Sequence, residues 1–159
     1  MPYYDYYQSP RGRMLLVADD KALTGVYFTG QKYQPRIEGE WSRDESHAPL
    51  RQAKRELAEY FGGTRMRFTV KIAPHGTPFQ RAVWKAIAGV GFGRTIAYAE
   101  LARRAGRPGS ARAAGAATGR NPIGIVVPCH RIVGSNGALT GYAGGLAKKR
   151  ALLALEGRS

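Results

Sequence analysis

Cysteine is all but missing from this chain: Cys129 is the only one in 159 residues. A single thiol cannot close an internal disulfide, and beside it stand only three histidines, too few to suggest a structural zinc site. An intracellular, reducing location without a bound metal is therefore expected. Long apolar runs are missing too; none approaches the ~18 residues of a membrane span. The opening Met1-Pro2-Tyr3-Tyr4-Asp5 lacks the basic-then-apolar pattern of a secretory signal. These absences read as a cytoplasmic protein with no signal peptide and no membrane partner. A hydrophobic content of 43% supports a packed core, in one large domain or two small ones.

Acidic residues are the third scarcity, and their distribution is lopsided. Residues 1–70 carry eleven Lys/Arg and nine Asp/Glu, a net +2. Residues 71–159 carry fourteen Lys/Arg against only Glu100 and Glu156, a net +12. A general solubility charge predicts no such asymmetry; a nucleic-acid surface in the second half does. Charge alone does not choose DNA over RNA or acidic lipid.

The first half alternates like strands. Residues 3–8 are rich in tyrosine, Ser9-Pro10-Arg11-Gly12 reads as a turn, and residues 14–18 are apolar. After Asp19-Asp20-Lys21 a third strand spans residues 23–29, completing a β-meander. Residues 30–47 read as a polar loop, with Trp41 either pinning it to the core or standing as an exposed contact. From Pro49, Leu50, Ala53, Leu57 and Phe61 recur on one helical face, and Gly62-Gly63 ends the helix. Residues 66–72 alternate as a further strand. Pro74-His75-Gly76 then breaks the chain. The domain boundary is placed there, giving domains over residues 1–74 and 75–159.

The second half reads as helices. Thr77-Pro78-Phe79-Gln80 has the form of a capping box with proline at the first helical position, followed by an apolar stripe of Phe79, Val83 and Ile87. Two short helices follow, residues 98–105 and 111–118, joined by Gly106-Arg107-Pro108-Gly109, with Ser110 placed to cap the second. Such a pair in a basic region suggests a helix-turn-helix, although any helical hairpin looks similar. The second helix is almost bare of bulk: Ala111, Ala113, Ala114, Gly115, Ala116 and Ala117, with Arg112 as its long side chain. It suits tight packing on another helix, or approach to a narrow minor groove better than readout of major-groove edges. A final helix over residues 146–156 is expected to bury Leu146, Leu152, Leu153 and Leu155.

Between these helices lies Ile125-Val126-Val127-Pro128-Cys129-His130-Arg131-Ile132. Three apolar residues stopped by proline read as a short buried strand that delivers the thiol beside a titratable base. A free thiol has a pKa of about 8.5, so little is thiolate at neutral pH unless a partner takes the proton. A lone cysteine among apolar residues is more often a small buried hydrophobe than a nucleophile. Upstream, Asn121 sits in a turn where its side chain can bond nearby backbone. Glu156, one of two acids in the half, is a candidate to orient a basic partner such as His130.

Taken together, Pro128-Cys129-His130-Arg131, preceded by Asn121-Pro122 and followed by Gly141-Tyr142-Ala143-Gly144-Gly145-Leu146 and Leu155-Glu156-Gly157, resemble the O6-alkylguanine-DNA alkyltransferases. The match runs from about Thr77 to Gly157; the first half fits only in layout. The resemblance implies an α/β protein: a ribonuclease H-like α/β roll in the N-terminal domain, then a mainly helical winged helix-turn-helix domain for DNA binding and alkyl transfer. It implies a monomer acting on double-stranded DNA that contains alkylated guanine, in the nucleoid, without a cofactor. The damaged base is flipped out, and Cys129 takes the alkyl group irreversibly, once per molecule.

Further roles come from the same resemblance. His130 acts as base through a water, Glu156 orients it, and Asn121 braces the turns around the site. Tyr98 rotates the nucleotide phosphate and donates a proton to the leaving guanine. Arg112 fills the gap left by the flipped base, on a helix whose Ala113 and Gly115 face DNA. Val127, Pro128, Tyr142 and Ala143 form the guanine pocket, with the Ala143 N–H as donor to the guanine oxygen. Two departures stand out. Some members hold zinc through cysteines in the N-terminal domain, which this chain lacks, and some carry serine where Ala143 stands. The alternative is a non-catalytic lesion sensor or DNA-binding regulator; relatives without the cysteine bind damage and cannot remove it. Alkylated thymine as a second substrate is left open.

Overall fold

The structure, a computed structural model, describes residues 2–157. The chain forms two compact units, Met1–His75 and Gly76–Ser159. No helix among the described residues is long and apolar enough to cross a membrane.

The first unit is a four-stranded sheet with one helix. Strands β1 (Tyr3–Ser9), β2 (Gly12–Ala18) and β3 (Leu23–Phe28) form the expected antiparallel meander, and β4 (Ser42–Arg43) adds in parallel beside β1, giving the order β3-β2-β1-β4. The first hairpin is tight because Ser9 Oγ donates to the Gly12 carbonyl at 2.6 Å and Gly12 takes φ 122°, a conformation that favours glycine. In the second turn one Asp19 carboxylate oxygen accepts from the N–H groups of Lys21 and Ala22, both at 2.8 Å. Helix α1 (Ala48–Phe61) lays Leu50, Ala53, Leu57 and Tyr60 against the sheet, where Met14, Leu16 and Val26 are buried. Trp41 is half-buried, its ring 6.4 Å from that of Tyr4.

Residues 66–72 do not form the expected strand. Their backbone is held by a side chain instead: the buried Glu56 carboxylate accepts from Thr69 N–H (2.8 Å), Val70 N–H (3.2 Å) and the Thr69 hydroxyl (2.6 Å). Only one bridge, Ile72 to Leu23, joins the segment to the sheet. The alternation in sequence reports alternating exposure, not a ladder.

The second unit starts with α2 (Pro78–Ala88), whose capping box forms as read: Thr77 Oγ1 accepts from Gln80 N–H at 3.1 Å and Gln80 Oε1 from Thr77 N–H at 2.9 Å. Then come β5 (Ile96–Ala97), α3 (Tyr98–Arg104) and α4 (Ala111–Gly119). These three helices pack on one another, and Trp84 Nε1–H donates to the Ala117 carbonyl at 2.8 Å, fixing α2 to the end of α4. Ser110 makes no side-chain cap; its carbonyl receives the Ala114 N–H, and in the α3–α4 turn Arg107 N–H donates to the Ala102 carbonyl at 2.9 Å while its guanidinium lies 4.6 Å from the centre of the Phe79 ring. A 3₁₀ turn (Cys129–Arg131) leads into β6 (Ile132–Val133), which pairs in parallel with β5. Helix α5 (Leu146–Leu155) closes the unit. The architecture is the two-domain α/β arrangement expected, a sheet-bearing first unit and a helical second one.

The inward stripe of α5 differs from the leucine-based expectation. Leu146 and Leu155 are exposed, while Lys149, Leu152, Leu153 and Glu156 are buried at i, i+3, i+4 and i+7. A stripe with a charge at each end escapes a search for apolar residues.

Candidate active site

The segment before the thiol is a series of tight turns rather than the expected strand. Val126 N–H donates to the Gly124 carbonyl at 2.7 Å around Ile125, which sits at φ 68°. Cys129 N–H donates to the Val127 carbonyl at 2.8 Å around Pro128, at φ −82° and ψ 66°. These are a γ-turn and an inverse γ-turn, each spanning three residues. A β-branched residue in left-handed backbone is strained and persists only where its surroundings fix it. Here the fixing side chain is Asn121: its carbonyl oxygen accepts from Ile123 N–H (3.0 Å) and its amide donates to the Val127 carbonyl (2.8 Å). Asn121 is buried at the end of α4 and clamps both ends of the loop that presents Cys129.

Cys129 is buried, with 8% of its surface exposed. Burial pushes its thiol above the ordinary value; the Asn121 amide and the Lys149 ammonium act in the opposite direction. His130 is fully buried, with its Nε2 2.7 Å from Glu156 Oε2. Burial pushes its pKa below the ordinary histidine value, outweighing Glu156, with Arg131 and Lys149 lowering it further. A neutral ring beside a carboxylate, which only accepts, carries its proton on Nε2. Nδ1 is thereby an acceptor, and it makes no hydrogen bond among the described residues.

Glu156 is held in turn by Arg131. Nε lies 2.8 Å from Oε1 and Nη2 3.0 Å from Oε2, a two-pronged contact, while Nη1 donates to the Val90 carbonyl at 2.7 Å. The carboxylate predicted to steer His130 does meet it, and is itself fixed by a residue that the sequence reading passed over. Lys149 is the second such residue. It is fully buried, and its Nζ donates to the carbonyls of Ile132 (2.6 Å), Thr140 (2.8 Å) and Gly141 (3.2 Å). Its i+7 spacing to Glu156, the residue that caps α5, is the one signal that could have drawn attention to it.

Tyr98 opens α3. Its hydroxyl donates to the same Thr140 carbonyl at 3.2 Å, and burial raises its pKa, so it is a neutral acid at physiological pH. Its ring lies over α4 at Gly115, where an added Cβ would come within 3.6 Å of it. The outward face of α4 presents Arg112, Ala113 and Ala116, all exposed, while Ala114, Ala117 and Thr118 face the core. Val127 and Pro128 are buried next to the thiol in sequence, and the Val127 carbonyl already accepts two hydrogen bonds. Tyr142 and Ala143 are half-buried on the loop anchored by Lys149 and Tyr98 through the neighbouring carbonyls. The structure thus joins Asn121, Cys129, His130 and Glu156 into one cluster and links Tyr98 to the same loop. Arg112 and Ala113 stand apart on the helix surface.

Exposed acid is scarce around this site. Glu100 is engaged by Arg103 (2.6 Å) and Arg104 (2.8 Å), which pull its pKa down to about 2. No group of three or more His, Cys, Asp or Glu among the described residues could hold a metal ion.

Comparison with known proteins gives the arrangement a context. Residues 2–74 match the 6-O-methylguanine DNA methyltransferase ribonuclease-like domain, and residues 78–158 match the DNA binding domain of the same family. A methylated-DNA–protein-cysteine methyltransferase of Methanosarcina acetivorans is 45% identical over 98% of each chain. One from Mycolicibacterium paratuberculosis is 43% identical over 98% of this chain and 92% of its own. The crystal structure of Mycobacterium tuberculosis O6-methylguanine methyltransferase superposes with a TM-score of 0.90 at 42% identity, covering 100% of this chain and 95% of the other. The structure of Mycobacterium tuberculosis OGT in complex with DNA gives 0.89 at 41% identity, over 97% and 92%.

Proposed function

Because the chain belongs to the 6-O-methylguanine DNA methyltransferase family, we infer that it repairs DNA by direct reversal, as a methylated-DNA–protein-cysteine methyltransferase whose alkyl acceptor is Cys129. The observation that carries this reading is the buried His130–Glu156 pair at the one thiol, which commits Nε2 as a donor and leaves Nδ1 able to accept a proton.

In this reading the protein binds duplex DNA as a monomer through the minor groove. The low bulk of Ala113 and Gly115 lets α4 approach closely. The lesion rotates out of the stack, and Arg112 occupies the gap, offsetting part of the few kcal/mol that flipping costs. Val127, Pro128 and Tyr142 enclose the guanine, and the Ala143 N–H donates to its oxygen. The thiol proton passes through a water to His130 Nδ1. The sulfur–carbon bond forms as the carbon–O6 bond breaks, and the Tyr98 hydroxyl supplies the proton that the leaving guanine takes. Asn121 keeps the strained turns in register throughout. A thioether does not hydrolyse, so each molecule acts once.

The test is intact mass after incubation with duplex DNA carrying one O6-methylguanine. A gain of one methyl group mapped to Cys129, absent in Cys129→Ala, is expected. Tight lesion binding without a mass gain would replace the transferase with a sensor.

A further inference from the structure

The segment between α2 and β5 begins Gly89-Val90-Gly91-Phe92-Gly93, with glycine at every second position, the composition of a flexible linker. In the structure it is a fixed turn. Val90 is buried and its N–H donates to the Ile87 carbonyl at 2.9 Å, while Arg94 N–H donates to the Gly91 carbonyl at 3.0 Å. The turn lies against the pair that holds His130. The Val90 carbonyl accepts from Arg131 Nη1 at 2.7 Å, and the centre of the Phe92 ring lies 5.8 Å from the Arg131 guanidinium carbon. Gly93 reaches the carboxylate itself: its N–H donates to Glu156 Oε1 over a long 3.4 Å. Two features bar a side chain from Gly93. Its φ is 77°, in the left-handed region. A Cβ built there would stand 3.2 Å from the Glu156 carbonyl oxygen, closer than ordinary contact. That oxygen has little room to yield, because the Glu156 N–H is bound to the Leu152 and Leu153 carbonyls, both at 3.1 Å. Past Gly93 the chain enters β5, which pairs with β6 next to the 3₁₀ turn, and then reaches Tyr98.

We propose that the loop of residues 90–93 is a positioning element for His130, with Gly93 the residue whose missing side chain lets the loop close on Glu156. The loop supplies an acceptor to the Arg131 guanidinium and a donor to the Glu156 carboxylate, so the ion pair between them is held from outside as well as by itself. A carboxylate fixed in this way keeps the proton of the neutral His130 ring on Nε2 and leaves Nδ1 to accept. A carboxylate free to shift would let the ring exchange tautomers, and a ring protonated on Nδ1 has no lone pair there for the thiol's proton. The chain that braces this carboxylate also delivers Tyr98, so one short segment sets the orientation of the base and the place of the acid.

The proposal rests on His130 as the proton acceptor of the transferase reading, and its test separates the two. Nitrogen-15 spectra of the histidine rings at neutral pH show which ring nitrogen carries the proton, without DNA; His130→Gln identifies the His130 signals among the three histidines. Single-turnover methyl transfer from O6-methylguanine duplex is measured on the same proteins. In the unaltered protein His130 should be the Nε2–H form alone. Gly93→Ala should add the Nδ1–H form and slow transfer at least about tenfold. Gly63→Ala is the control: its φ of 82° carries the same backbone strain, but nothing lies within 4 Å of the added Cβ, so ring and rate should stay as they are. A folded Gly93→Ala protein with the Nε2–H form intact would overturn the proposal and make Gly93 a structural glycine, whatever its rate. A mixture of tautomers at full rate would overturn it too, since transfer would then not need the ring held. Should Gly93→Ala fail to fold, as judged by circular dichroism, Phe92→Leu decides on the same readouts: a mixed ring with slower transfer supports the proposal, and an unmoved ring overturns it. An unaltered protein with the Nε2–H form that takes no methyl from DNA would instead sink the transferase reading, while the ring spectra still decide whether the loop holds His130.

Discussion

At the scale of single residues, the cluster is a chain of fixed partners: Arg131 holds Glu156, Glu156 holds His130, and His130 Nδ1 has no partner among the described residues. Arg131 acts on His130 in two ways, by orienting its carboxylate and by opposing its protonation. Replacing Arg131 with Met should therefore raise the His130 pKa, because Glu156 would then attract the imidazolium unopposed. For the native protein, transfer should hold as pH falls to the ordinary histidine value of about 6.5, since His130 titrates below it. For Arg131→Met the acid limb of the pH–rate profile should move upward. Breaking one partner from a buried ion pair should also cost about 3–5 kcal/mol, read by urea unfolding. An unmoved acid limb would reduce Arg131 to a structural prop. What was legible in sequence at this scale follows from rarity. Cys129 is the only thiol and Glu156 one of two acids in its half, so each stood out, and His130 and Asn121 took meaning from them. Arg131 and Lys149 are two of fourteen cations in that half, and among so many a basic residue carries no local signal.

At the scale of elements, hydrogen-bonding groups at the ends were easier to read than the interior of a loop. The Thr77–Gln80 box and the meander declared themselves through residues whose chemistry fits one local geometry. The run Ile125-Val126-Val127 did not, because apolar β-branched residues serve a buried strand and a buried pair of γ-turns equally well. The deciding partner, Asn121, lies outside the run. Helix α5 shows the same limit, since its inward stripe begins at Lys149. That stripe has a consequence for stability. The Lys149 pKa falls from 10.5 in the open chain to about 8 in the folded one, so between these values the unfolded state binds more protons. Folding is thus penalised in full below pH 8 and relieved as pH rises toward 10.5. Cys129, whose folded pKa is raised, loses stability in alkali and works against this gain. In a Cys129→Ser background the denaturant midpoint should therefore increase with pH above 8, by up to about 3 kcal/mol of stability, and Lys149→Met should abolish the increase. Tyr7, Tyr27 and Tyr98, whose pKa values are raised by burial, oppose the gain at the alkaline end. The difference between the profiles with and without Lys149→Met is therefore the readout, and identical slopes would mean that Nζ is solvated in solution.

At the scale of the whole molecule, formal charge overstates what is available to DNA. Residues 71–159 carry fourteen Lys/Arg and a net +12. Arg131 and Lys149 are buried, and Arg103 and Arg104 share Glu100. Exposed cations such as Lys85, Arg94 and Arg150 can displace counterions. Affinity for undamaged duplex should accordingly fall steeply with salt, by roughly a thousandfold between about 50 and 200 mM if about six phosphates are neutralised. Arg112 separates this nonspecific attraction from base flipping. Arg112 is exposed on the outer face of α4, and in the proposed function it sits in the gap in the stack and not on a phosphate. Arg112→Ala should therefore leave the salt slope nearly unchanged while slowing repair of duplex at least tenfold, the equivalent of about 1.4 kcal/mol. Reaction with a free O6-alkylguanine base, which needs no flipping, should proceed at the unaltered rate. Parallel rate measurements on the two substrates decide the matter. A slope reduced by about one, with both substrates slowed alike or neither affected, would move Arg112 from the stack to the backbone and leave flipping to Tyr98 alone.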